Sequence, residues 1–387
     1  MSDRQRLAIV FLLHAVAQGG LYARLPDLQQ ALSINEAVLG LALLGQPAGA
    51  IAGFLLASTL IERFGTRPAM LLCIPGMALG TMLMALSGSA IMLFAAFAAF
   101  GVVFGIANIA VNVEADRLEA ASGSRLMNTC HGVWSAGLLA ASLLGTAMRG
   151  FAVPPLLHFG LVALIVCLGI VLVAAGLRPA PARPHTGALT RRARLSLPTL
   201  MTLLLLGYSI ASALLEGALR NWSVIFMRDS FTAPDWVDTL TLPAFLVAQT
   251  AGRLLSDRAV TRWGPVRLAR GLAAIALCGL VLVVVSPSLW VALCGFALIG
   301  LGVSAAFPLS ASAAARQGDR PASQNVAALT MAQQVLMLGA PALLGLVASA
   351  VSIRATFAIL IPPLLVAIYL ARYLATEPPP PSPLADR

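Results

Sequence analysis

The chain has 387 residues, of which 59% are hydrophobic and only 10% charged, with a mean hydropathy of +0.90 and a formal net charge of +10. An ordinary soluble domain carries roughly 25% charged residues, so a soluble fold is excluded. Nucleic-acid binding goes with it, because the positive charges sit in short segments between apolar stretches, where they report topology.

A hydrocarbon core of about 30 Å needs about 20 helical residues to cross it, and their backbone groups must be satisfied within the helix. Apolar stretches predict membrane helices over 7–23, 38–58, 69–86, 90–113, 133–148 and 156–177, then over 200–219, 237–255, 268–285, 289–315, 326–351 and 355–374. The fold class is therefore an all-α membrane protein of twelve transmembrane helices. Its expected domains are a six-helix half over 1–177, a basic linker over 178–198, a second six-helix half over 199–374 and a disordered tail over 375–387. The linker is rich in Pro and Arg, and the tail holds Pro378 to Pro381, which cannot continue a helix. All 25 basic residues are Arg; five of them, Arg24, Arg149, Arg220, Arg228 and Arg354, fall on the side away from the N-terminus. That asymmetry predicts cytoplasmic termini.

Taken in chain order, the polar residues inside the spans mark candidate sites, because an ionisable group at the bilayer centre needs a partner or a wet cavity. His14, Gln18 and Tyr22 recur every four residues and share one face of the first helix. Asn108 and Asn112 form a similar stripe on the fourth, where carboxamides suit either hydroxyl recognition or contacts between helices. Glu114 and His131 lie at the inner ends of the fourth and fifth spans, with Trp134 just inside, and make a candidate proton-responsive pair. Glu216 is an acid on the seventh helix, near Arg220 and Trp222, with Gln249 on the eighth and Gln333 and Gln334 on the eleventh. A surface pair of Glu216 with Arg220 is the alternative there. The expected substrate-binding set is His14, Gln18, Tyr22, Asn108, Asn112, Trp134, Glu216, Trp222, Gln249 and Gln334, with Glu216, Glu114 and His131 as proton-coupling candidates.

Two loops repeat a motif. After the second span the chain reads Glu62-Arg63-Phe64-Gly65-Thr66-Arg67, and after the eighth Thr261-Arg262-Trp263-Gly264-Pro265-Val266-Arg267. In the second copy the acid comes earlier, in Arg253-Leu254-Leu255-Ser256-Asp257-Arg258. An Arg at a helix end can meet an acid on a neighbouring helix and the C-terminal dipole of another, so Glu62, Arg63, Gly65 and Arg67, with Arg253, Asp257, Arg258 and Gly264, are gating candidates. Enforcing topology is their alternative role.

Six plus six spans, a basic linker and the first of these loops resemble the major facilitator superfamily. Leu25-Pro26-Asp27-Leu28-Gln29-Gln30-Ala31-Leu32 is similar to the corresponding stretch of fucose-permease-like sugar transporters, and Glu216-Gly217-Ala218-Leu219-Arg220-Asn221-Trp222-Ser223 with His131-Gly132-Val133-Trp134-Ser135 to a bacterial permease branch near them. The resemblance implies alternating access of a small polar, sugar-like metabolite, with proton symport first and efflux by antiport, or a sensing or assembly role, as alternatives. The chain departs from the proton-coupled fucose carriers where they place acids, with Tyr22 and Asn108 at those positions. No cofactor, metal or nucleic acid is expected, and the partners are a small-molecule substrate, protons and the lipid bilayer, around a monomer. Cys73, Cys130, Cys167, Cys278 and Cys294 lack metal or disulfide spacing. No HExxH, GxSxG or GxxxxGK[ST] motif is present, so neither a membrane enzyme nor an ATP-driven pump is expected.

Overall fold

The computed structural model describes residues 1–123, 126–174, 176–177 and 198–375. Nearly all of the expected linker and tail lies outside the described residues. Among the described residues the chain is helical and has no strand. Ten helices among the described residues are long and apolar enough to cross a membrane: α1 (Asp3–Ala31), α2 (Glu36–Phe64), α3 (Thr66–Ala85), α4 (Ala90–Ser122), α6 (Pro155–Ala174), α7 (Leu200–Ser230), α9 (Pro265–Val285), α10 (Leu289–Ala315), α11 (Gln324–Ala350) and α12 (Ile353–Leu374). The fifth and eighth expected spans are α5 (Met127–Gly150) and α8 (Thr241–Trp263), 24 and 23 residues long but more polar.

Helix boundaries follow local chemistry. Helix α1 starts earlier than hydropathy predicts because Ser2 and Gln5 form a capping box, and it continues past a 3-10 turn at Tyr22–Arg24 into Leu25–Ala31. Helix α4 runs to Ser122 and stops at Gly123, which takes the left-handed conformation with φ +66°. Helix α8 begins at Thr241, so Val237 and Asp238 belong instead to a separate short helix, Asp235–Asp238. Helix α11 is broken at Gly339, where Pro341 removes a backbone donor from the turn that follows.

The helices gather into two compact units, one of Met1–Pro184, Leu219–Leu246 and Pro341–Ile353, the other of His185–Ala218, Val247–Ala340 and Arg354–Arg387. In the first, α1 packs on α5, α6 and α3, while α4 packs on both α2 and α3. Its tightest seam is α2 on α4. Gly45, Gly49 and Gly53 face Gly101 and Gly105, and a Cβ at Gly49 would strike the Ala98 carbonyl while one at Gly101 would strike that of Gln46. Small residues let the backbones approach where lipid supplies no hydrophobic drive between helices. In the second unit α9 packs on α10 and α12, and α10 on α11.

Candidate functional site

In the second unit, Ser209, Ser212 and Glu216 lie at spacings of three and four along α7, so one face of that helix is polar. This face lines a cavity of about 60 Å³ together with Arg253 of α8, Ser304 and Phe307 of α10, and Gln333 of α11. The amide of the buried Gln249 donates to Glu216 Oε2 at 3.2 Å, and Ser209 Oγ donates to Gln333 Oε1 at 3.0 Å. Arg253 Nε donates to the Ser304 carbonyl at 3.4 Å, while the Ser304 hydroxyl is buried with no hydrogen-bond partner. A carboxylate, a guanidinium, a carboxamide and hydroxyls thus converge on one space. It is contracted, because small-molecule sites run to roughly 300–1,000 Å³.

The first unit holds a second polar cluster. Trp134 Nε1 donates to His14 Nδ1 at 3.2 Å, and the His14 ring stacks on Phe104 with centroids 5.7 Å apart. An accepting Nδ1 leaves the neutral ring's proton on Nε2, which is buried without a partner, as is Gln18 Nε2 one turn further along α1. His131 Nε2 meets Asn112 Oδ1 at 3.1 Å, and Asn112 Nδ2 donates to the Asn108 carbonyl at 2.8 Å.

The structure regroups the sequence candidates. Glu114 is fully buried and accepts from Thr66 Oγ1 at 2.5 Å, whereas His131 is exposed and sits on Asn112. Tyr22 is buried in the 3-10 turn. Trp222 is completely buried against Gly345, in the first unit, and does not line the Glu216 cavity. Gln334 is exposed, and its neighbour Gln333 takes the cavity position. Arg253, read as a gating residue, lines the cavity too. Ser209, Ser212 and Ser304 were not singled out from sequence; the α7 serines carry a readable signal in their register with Glu216.

The paired loops share a geometry. Gly65 and Gly264 take φ +88° and +76°, which favours glycine. Arg63 lies 5.2 Å from the Phe64 ring centroid and Arg262 5.8 Å from that of Trp263. Glu62, Asp257 and Arg258 are exposed. Arg67 has a buried Nε beside this loop, and Thr66 ties the loop to α4 through Glu114.

At the end of the first unit away from the N-terminus, isolated charges become a network. Arg24 donates from Nη1 to Asp27 at 2.8 Å, from Nη2 to the Val153 carbonyl at 2.8 Å and from Nε to His158 Nδ1 at 3.2 Å. Arg149 lies 3.4 Å from Asp27 and 3.5 Å from Asp235.

Long apolar helices around buried polar clusters define a multi-pass membrane transporter. The sequence profile of the Major Facilitator Superfamily matches residues 7–341, and the chain belongs to that family. It is 29% identical over 355 residues to the uncharacterized transporter y4wD of Sinorhizobium fredii, covering 91% of this chain and 92% of that one. It is 26% identical over 359 residues to an uncharacterized MFS-type transporter of Yersinia pestis, with 92% of each chain covered. Among solved structures, the nucleoside transporter NupG superposes with a TM-score of 0.76 at 12% identity, covering 97% of this chain and 100% of that one. A D-xylose-proton symporter gives 0.71 at 14% identity over 97% of each chain. These two share the fold.

Proposed function

We propose that the protein is a proton-coupled symporter for a small polar metabolite, sugar-like in its hydroxyl groups, working by alternating access in the bacterial plasma membrane with both termini cytoplasmic. The observation that carries this reading is the Glu216 cavity. It sets one acid, held by Gln249, beside serine hydroxyls, the Gln333 carboxamide and Arg253. Hydroxyls and carboxamides match a polyhydroxylated ligand in both donor and acceptor sense, and a carboxylate inside a transmembrane helix is costly enough to mark a pathway for ions. In this reading Glu216 takes a proton as substrate binds and releases it as the cavity reopens to the other side. The Arg distribution supports the orientation. The fold relatives include proteins named for nucleoside transport and for D-xylose-proton symport.

The test is uptake of radiolabelled pentoses, hexoses and nucleosides into proteoliposomes with an imposed pH gradient. Symport predicts accumulation driven by an inward proton gradient and its loss in Glu216→Gln, with exchange without a gradient retained. Accumulation under an outward proton gradient would establish antiport instead, and transport indifferent to both the gradient and Glu216 would remove the carboxylate from the mechanism.

A further inference from the structure

Asp238 closes the short helix Asp235–Asp238 ahead of α8, in the first unit, and is 2% exposed. Its Oδ1 is buried with no hydrogen-bond partner. The charged groups facing it are Arg149 from α5, Arg228 and Asp229 from the end of α7, and Asp235 from its own helix. Both cations are committed elsewhere. Arg149 donates from Nη1 to the Ala23 carbonyl at 3.3 Å and turns Nη2 toward Asp27 and Asp235. Arg228 gives Nε to Asp229 at 2.7 Å and Nη2 to Gln29 at 3.0 Å. An ionised carboxylate in such a place lacks the hydrogen bonds that would make its charge affordable, whereas the neutral acid needs far less. Burial pushes the Asp238 carboxyl up to about 6, with Arg149 acting in the opposite direction.

The surroundings of Asp238 are also a closure. Thr239 donates to Thr146 of α5 at 2.8 Å, Arg149 reaches Asp235 at 3.5 Å, and Arg228 reaches Gln29 of α1. Each contact joins a residue of α1 or α5 to one between the end of α7 and the start of α8. All must break for those elements to part, and parting would expose Asp238 to water.

We propose that Asp238 is a proton-binding site that latches this end of the transporter shut, protonated while the short helix is packed on α5 and ionised when the two separate. Because the closed state raises the affinity of Asp238 for its proton, protonation favours closure. The stabilisation is fully present below the ordinary carboxylate range and is lost as pH rises through about 6. In the orientation proposed above this end faces outward, so acid outside holds it closed. This proton governs access and is separate from the one assigned to Glu216.

The experiment is double electron–electron resonance between spin labels at Gly88→Cys and Thr232→Cys, both exposed, in the full chain with its native cysteines replaced and held in lipid nanodiscs. Equal pH on both faces makes the result independent of orientation and of transport. Between pH 8 and 4 the ratio of short- to long-distance populations should rise by up to about a hundredfold with a midpoint near 6. In Asp238→Asn the short distance should dominate with no titration. A titration that survives in Asp238→Asn, a wild-type distribution indifferent to pH, or opening at low pH would each overturn the proposal; because the wild-type trace is decisive alone, a poorly folded variant does not protect it.

Discussion

A hydrogen bond at the turn between α2 and α3 joins Thr66 to Glu114, both fully buried. A buried carboxylate that loses a donor costs about 1–3 kcal/mol. Thr66→Val should therefore lower stability by that amount, read as a fall in the detergent melting temperature, while Thr66→Ser keeps most of it; equal melting temperatures for Val and wild type would mean that other donors carry Glu114. The sequence suggests Glu114 and His131 as a pair at the inner ends of the fourth and fifth spans, whereas the hydrogen bond at Glu114 comes from Thr66. His131 meets Asn112, four residues along the stripe from Asn108. Spacing along one helix reports which residues share a face. It carries no information about what the facing helix presents, which is why His14 and Gln18 were legible as a stripe and the contact of His14 with Trp134 was not.

At the scale of elements, hydropathy finds the spans because lipid forces long apolar helices, but it blurs their ends. Capping chemistry set the start of α1, a left-handed Gly123 set the end of α4, and Asp235–Asp238 split from α8. Helix packing was also written in the chain, in the four-residue repeat of Gly45, Gly49 and Gly53 against Gly101 and Gly105. Filling that seam should be severe. In Gly49→Leu the added side chain meets backbone, which cannot rotate aside, and overpacking of this kind costs typically about 1–3 kcal/mol or more. The expected outcome is loss of monodisperse protein on size exclusion. Gly271→Leu, where a Cβ would enter open space, should behave as wild type. Equal behaviour of the two variants would show that the close approach is not required.

For the whole molecule, twelve spans, the Arg asymmetry and the repeated Arg-aromatic-Gly loops are local patterns and could be read directly. The grouping of Leu219–Leu246 and Pro341–Ile353 with the first helices could not, because contacts such as Arg228 with Gln29 join residues far apart in sequence and leave no periodicity. Those contacts make a transport prediction. A Cβ on Gly150 would lie 3.4 Å from the Trp236 Cβ, close to the separation of about 3.5–4.5 Å found in disulfides. Gly150→Cys with Trp236→Cys, in a background without native cysteines, should therefore cross-link α5 to the short helix under mild oxidation. If this end must open in every cycle, the oxidised protein should lose uptake of whichever labelled compound the reduced protein accumulates, and reductant should restore it. Ligand binding followed by thermal shift should survive the cross-link, since the Glu216 cavity lies wholly in the other unit. Full uptake by quantitatively cross-linked protein would mean that the polar contacts between α5 and the short helix are permanent scaffold, and that access to the cavity is governed elsewhere.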